Sequence, residues 1–391
     1  MSVSDWNLSR RSLLGRTSQA ALAAAIGSEV LAKAGESLAT TPAADAQTRK
    51  ILNYHPKMKY RRLGKTGLMF SEISLGGHWR KRDGGRVWVN FAKDEVPQDV
   101  AKNRLEVVSR AIDAGMNYVE AITAAECLAY GVALKGRREK MHIGADDHRL
   151  GPRDFANCTV PRQIHNVEEC LRRLQTDYLD IWRVQASMEG TNTDEHIDVM
   201  VEAAEKLKKD GKIRHFGISS HNRDWLKHAI DTHPQIEMIV FPVTAMTRKA
   251  GDPVAKENLV ERSGWDNAND FTTSIFDSIR KHQVGLVTIK PFAGGQLFKT
   301  PKKFPVVGVG SKEENDLARL SLQCILTLYD EITCIVPGQT TVYEVDNAAR
   351  VSYMREVAMT PADQQWLEDV TRERMARLPA DYRWLRDWDV I

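Results

Sequence analysis

The chain has 391 residues, enough for one large domain or two ordinary ones, and 42% hydrophobic with 27% charged residues is an ordinary globular balance. Its 55 basic and 52 acidic residues leave a net charge of only +3, which gives no long-range attraction to nucleic acid or to an anionic membrane. The five cysteines, Cys127, Cys158, Cys170, Cys324 and Cys334, are odd in number and form no Cys-x-x-Cys pair; this argues against a local zinc or iron–sulfur motif and predicts buried free thiols.

At the start of the chain, Ser9-Arg10-Arg11-Ser12-Leu13-Leu14-Gly15 resembles the twin-arginine export motif. A small-residue apolar run, 20–26, follows; it is too short for a membrane span, and Glu29 interrupts what comes after it. Cleavage sites of the A-x-A type stand at Ala32-Lys33-Ala34 and Ala44-Asp45-Ala46. Residues 1–50 therefore read as a signal peptide and linker, against the alternative of an ordinary helix carrying two arginines. The resemblance implies the twin-arginine export machinery as a partner, a periplasmic address and a mature chain without a membrane span.

Beyond residue 50, strand-like and helical runs alternate. Strands are predicted at 72–75, 118–121, 141–145, 178–184, 215–219, 238–241, 285–289 and 333–336. Helices are predicted at 104–114, 126–134, 164–174, 194–209, 224–230, 274–281, 314–328 and 343–350, with a further one at 361–375 capped by Thr360. Eight strand–helix repeats with no linker between them predict one closed, eight-stranded parallel β/α barrel over 51–391. Two long stretches follow strands at the carboxyl ends: 80–100, with Gly84, Gly85, Trp88 and Phe91, and 247–273, with Pro253, Gly264, Trp265 and Asn267. Such loops shape a pocket or lid, or else embellish the surface. An aromatic tail, 382–391, ends the chain.

Residues 170–185, CLRRLQTDYLDIWRVQ, resemble the helix-to-strand signature of the aldo-keto reductase superfamily, S-L-r-r-L-g-t-D-Y-l-D-l-y-x-x-H. Leu171, Arg173, Leu174, Thr176, Asp177, Tyr178 and Asp180 fall in register. Residues 58–68 resemble the family's opening hairpin, 71–77 its first strand, 111–121 (AIDAGMNYVEA) its second, 210–220 (DGKIRHFGISS) its fifth, 285–297 its seventh and 335–338 its eighth. The resemblance implies the aldo-keto reductase type of β/α barrel and NADP(H) as cofactor.

It also implies a catalytic set of aspartate, tyrosine, lysine and histidine, and this chain departs from it at each position. The aspartate falls on Glu120, the lysine on Asp146 and the histidine on Gln185; the segment 122–126, where the tyrosine belongs, contains none, and Tyr130 reads as core. Glutamine still donates a hydrogen bond but shuttles no proton, and a carboxylate in the lysine's place raises the pKa of a neighbouring acid. For the cofactor, the resemblance points to Ser219, Ser220 and Asn222 at the nicotinamide, Lys290 at the pyrophosphate, and Gly338, Gln339, Thr340, Thr341 and Asn347 at the adenine-side phosphate, where helix-start N–H groups cradle an anion.

On the same face stand His78, Trp79 and Arg80, then Asp146, Asp147, His148 and Arg149, then Ser187 and His221. Three readings of them stay open: a new acid–base or sugar-binding site in which His78, Trp79 and His148 meet a small-molecule substrate, a divalent metal held by His78, Glu120, Asp146 and His148, or salt-bridged filler in a barrel that has lost its chemistry. The expectation is an oxidoreductase-derived barrel binding NADP(H) and a polar carbonyl or sugar-like ligand, without a metal; the alternative is a non-catalytic binding or scaffold protein.

Overall fold

The computed structural model describes residues 51–79, 94–245, 247, 275–298 and 312–378. The signal segment, most of both long loops (Arg80, Trp88, Phe91, Pro253, Gly264, Trp265 and Asn267 among them) and the aromatic tail lie outside the described residues. The chain divides into two units, Met1–Lys50 and Ile51–Ile391, and the described residues belong to the second.

The second unit opens with an antiparallel hairpin, β1 (Tyr60–Arg62) and β2 (Met69–Ser71). Seven parallel strands follow, each beside the next in chain order: β3 (Tyr118–Ala121), β4 (His142–Ala145), β5 (Leu179–Gln185), β6 (Ile213–Ser219), β7 (Met238–Pro242), β8 (Gly285–Ile289) and β9 (Ile332–Ile335). The predicted first strand, 72–75, is not a regular strand. It is a single stave joined by one bridge to each edge of the sheet, Ile73 to Ile335 and Leu75 to Val119. The Ser74 N–H donates to the Ile335 carbonyl at 3.0 Å and the Leu75 N–H to the Tyr118 carbonyl at 3.1 Å, so the barrel closes through it. Gly76 ends this stave where any Cβ would lie 2.3 Å from the Val336 carbonyl oxygen, so only glycine lets the two backbones meet.

The helices between strands are α1 (Gln98–Asp113), α2 (Ala124–Leu134), α3 (Val160–Leu174), α4 (Asp194–Lys209), α5 (Arg223–Thr232), α6 (Ile275–His282) and α7 (Lys312–Leu328), with α8 (Val342–Tyr353) and α9 (Pro361–Ala376) after the last strand. Strand residues of one parity, among them Ile73, Val119, Ile143, Val184, Ile218, Ile239 and Ile335, pack outward with the helices into the main core. Those of the other parity, Tyr118, Ile181, Met238, Val240, Val287 and Cys334, form an inner plug with Leu63 and Phe70 of the hairpin. The hairpin therefore stoppers the amino-terminal end, and the carboxyl ends of the strands are left to build a site.

The family signature has a structural reason. Asp180 accepts from the Ile143 N–H at 2.9 Å and from Arg138 Nη2 at 2.7 Å, with His142 Nδ1 at 3.3 Å, and so ties β5 to β4. Burial pushes its carboxyl pKa up, but the His142 bond and the Arg138 charge outweigh that and bring it down to about 2. Cys127, Cys158, Cys170 and Cys334 are buried and free, as the composition suggested, and Cys324 is free and half-buried. No helix among the described residues is long and apolar enough to cross a membrane.

Candidate active site at the carboxyl end of the barrel

Glu120 is the third residue of β3, on the inward parity, and is buried. Its Oε1 lies 2.9 Å from Arg183 Nη2, and its Oε2 accepts from the Tyr118 hydroxyl at 3.1 Å. Arg183 points inward from β5, is 1% exposed, and leaves Nε and Nη1 without a partner. Sequence reasoning missed it, because it stood as one unremarkable letter inside the signature. Its position matters: the family's resemblance puts the cation on β4, and here it enters from the next strand. A carboxylate–cation pair therefore persists beneath the mouth with its positive member moved. Tyr118 does not replace the missing tyrosine acid. Burial, with the Glu120 charge, holds its pKa well above the ordinary phenol value, and it stacks on Phe70 in the inner plug at 4.3 Å.

Asp146, expected to be catalytic, is turned to a structural task. Its Oδ1 accepts from Asn166 Nδ2 of α3 at 2.8 Å and from Trp182 Nε1 at 3.3 Å, and its Oδ2 from the Gln185 N–H at 3.0 Å. Burial raises its pKa to about 6 despite those bonds. Gln185 itself ends β5 opposite Ser219, with its side-chain Oε1 buried and unpartnered.

The turn into α2 explains the first-strand residues. Thr123 caps α2 by accepting from the Glu126 N–H at 3.1 Å, and the buried Glu126 carboxylate accepts from the Ile122 N–H at 2.8 Å and the His78 N–H at 2.5 Å. His78, in the left-handed region at φ 56°, has its ring Nδ1 3.3 Å from Glu126. Trp79 is a correction to its expected substrate role: at 2% exposure it lies edge-on to Tyr130, at 6.1 Å between centroids, under the Arg104 guanidinium at 4.1 Å. Tyr130 donates to the Gly76 carbonyl at 2.7 Å, a core role as expected. His148 stands 2.8 Å from the Ile122 carbonyl, and burial lowers its pKa. Among the described residues His78, Glu120, Asp146 and His148 are not gathered as a metal-binding group, since the first three are committed to Glu126, Arg183 and Asn166 respectively.

Cationic groups crowd the other side. Lys290 follows β8 in the left-handed region at φ 56°. Burial, then the charges of Arg183 and Arg153, bring its pKa down to about 8. Burial, with Lys290, Arg153 and Arg183, holds the His221 pKa well below its ordinary value, so that imidazole is neutral.

The expected cofactor residues divide. Ser219 is buried, its hydroxyl 3.4 Å from the Val184 carbonyl. Ser220 donates to the Ser187 carbonyl at 2.7 Å. Asn222 is engaged within the chain, capping α5 at the Trp225 N–H (2.9 Å) and donating to the Glu189 carbonyl (3.0 Å). Gly338 runs so close to the first stave that a Cβ would sit 2.7 Å from the Gly77 carbonyl oxygen. Gln339, 2% exposed, leaves both amide atoms unpartnered, a buried group suited to a ligand. The cradle expected at Thr340 and Thr341 is filled from within: Glu344 Oε2 accepts both N–H groups, at 2.5 and 3.0 Å, while the Thr341 hydroxyl accepts from the Glu344 N–H at 3.2 Å. Asn347 donates to the Asn315 carbonyl at 2.8 Å and joins α8 to α7.

Comparison with known proteins agrees with this architecture. The chain is 23% identical over 336 residues to L-galactose dehydrogenase of Arabidopsis thaliana, covering 80% of this chain and 93% of that one. It is 29% identical over 215 residues to the aldo-keto reductase YhdN of Bacillus subtilis, covering 52% and 60%. Among solved structures, the holo form of aldo-keto reductase AKR11C1 from Bacillus halodurans superposes with a TM-score of 0.54 at 23% identity, over 80% of this chain and 96% of that one. An aldo-keto reductase from Klebsiella pneumoniae in complex with NADPH gives 0.52 at 16% identity, over 80% and 95%. The sequence profile of the Aldo/keto reductase family matches residues 77–336, well over half of the chain, and the protein belongs to that family.

Proposed function

We propose that the protein is an exported oxidoreductase that binds a nicotinamide dinucleotide and a polar carbonyl or sugar-like ligand, with Lys290 as proton donor in place of the absent tyrosine. The observation that carries this reading is the buried Glu120–Arg183 pair beneath the mouth, with the Lys290 pKa brought down to about 8 by burial and by Arg183. A lysine of pKa about 8 exchanges protons at working pH, as a general acid must. The sugar substrate in the name of the Arabidopsis relative supports the ligand class, and the NADPH complex of the Klebsiella relative supports a dinucleotide.

Gln339 and Ser219 are the residues to hold the cofactor, which when bound supplies or takes the hydride. The rest falls to the chain. The Gln185 amide orients the ligand oxygen. Lys290 gives its proton to that oxygen as a carbonyl becomes an alcohol, and takes it back in the reverse direction. Arg183, fixed by Glu120, keeps Lys290 from becoming too weak an acid. Reductive turnover should fall as pH rises through about 8, where Lys290 loses its proton. Lys290→Met should lower kcat about a hundredfold and remove that limb of the pH profile. Native mass spectrometry and thermal shift with dinucleotide come first; no bound cofactor and no shift would sink the redox reading. The second reading, a non-catalytic binding protein, is favoured by the diversion of Asp146 and Tyr118 to structural bonds, and predicts ligand binding without turnover.

Export by the twin-arginine route to the periplasm is part of the proposal and rests on Arg10 and Arg11. Replacing both by lysine should retain the protein in the cytoplasm; unchanged export in cell fractions would refute it.

A further inference from the structure

We infer that Glu344 is a specificity-determining residue: the start of α8 accepts a dinucleotide whose adenosine ribose carries free hydroxyls, NAD(H), and rejects one with a 2′-phosphate, NADP(H). This rests on the dinucleotide reading above and refines it. The end of the last strand and the start of the next helix form the usual phosphate cradle of a β/α barrel, because helix-start N–H groups face outward with a partial positive charge. In this protein the two such donors at Thr340 and Thr341 are spent. The Thr340 and Thr341 N–H groups both point to Glu344 Oε2, and Asn103 Nδ2 takes the Thr340 carbonyl at 2.8 Å.

The Glu344 carboxylate is exposed, so an incoming phosphate meets a negative group in place of N–H donors. Two arginines of the adjacent α1 are engaged elsewhere. Arg104 feels the carboxylate but is wholly buried against the Trp79 ring and bonded to Asn103 Oδ1 at 2.7 Å; Arg110 is paired with Asp346 at 2.5 Å. A carboxylate that repels a phosphate is a good acceptor for ribose hydroxyls, which is the physical basis on which acidic residues select NAD and arginines NADP in other dinucleotide sites. The buried, unpartnered Gln339 amide, next but one to the Thr341 cap, supplies a neutral hydrogen-bonding group at the same strand end.

The test is equilibrium binding of NAD+ and NADP+ to the whole protein, by calorimetry and tryptophan fluorescence, in the native chain and in Glu344→Gln. Glutamine keeps the capping geometry at this position, so the variant should fold, which circular dichroism checks. The native chain should bind NAD+ at least about fivefold more tightly than NADP+, and Glu344→Gln should shrink the ratio several-fold, mostly by improving NADP+. Equal or tighter binding of NADP+ by the native chain overturns the inference alone, as does a ratio unmoved by the variant. Binding of neither dinucleotide overturns the parent reading and this inference with it.

Discussion

Glu120 and Arg183 show how a charge can stay while its carrier changes. Removing one member leaves the other buried and unpaired, so Glu120→Ala should destabilise the fold by about 3–5 kcal/mol in urea titrations. Glu120→Gln combined with Arg183→Met should recover much of that loss, and the coupling between the single changes measures the pair. Asp146 gives a prediction of opposite sense to ordinary acid denaturation. Its folded pKa, about 6, lies above the ordinary 3.8, so the native state holds the proton more tightly. The stability this contributes is complete below about pH 4 and is lost as pH rises through about 6. Asp146→Asn, which keeps an acceptor for the Gln185 N–H, should remove that decline; the difference between the two proteins across the window should reach at most about 3 kcal/mol. Neither role was legible in the sequence. The identities of Glu120, Asp146 and Gln185 could be read, but which way Asp146 turns depends on Asn166 and Trp182, and Arg183 acquires meaning only when β5 is set two strands from β3.

Elements were far more legible, because alternation and helical periodicity are local. The helix predicted over 194–209 is α4 to the residue, and that predicted over 361–375 differs from α9 by one residue, with Thr360 accepting from the Asp363 N–H at 3.1 Å as its cap. Errors fall at ends set by neighbours. Helix α1 starts six residues before the predicted 104, at Gln98 just after Pro97, because polar residues in its first turns hid its amphipathic face. The stave 72–75 was recognised as strand-like, yet its pairing is reduced to single bridges by partners far away in the chain. The α2 cap matters beyond its helix, since Thr123 fixes the turn in which Glu126 holds His78. Thr123→Ala should cost about 1 kcal/mol in stability, and the His78 ring resonances in NMR spectra should shift.

At the scale of the whole molecule, the family, the barrel and its orientation followed from the signature and six further motif segments in order, whereas the site did not, because its side chains converge from strands that the sequence separates widely. The unit Ile51–Ile391 has its own inner plug and outer core. A chain beginning at Ile51 should therefore fold with the melting temperature of the full chain, read by calorimetry; a drop of several degrees would show that residues 1–50 contribute to the native state. The closing stave has a temporal consequence. Ile73 leaves the ribosome early, and its partner Ile335 is among the last barrel residues to be made. The ring thus stays an open sheet with unsatisfied edges until synthesis is nearly finished, so its slowest event is the joining of the two ends of the polypeptide. A nascent chain arrested before Ile332 would expose both seams at once, an aggregation-prone intermediate on which chaperones would act, while the finished barrel has none to offer.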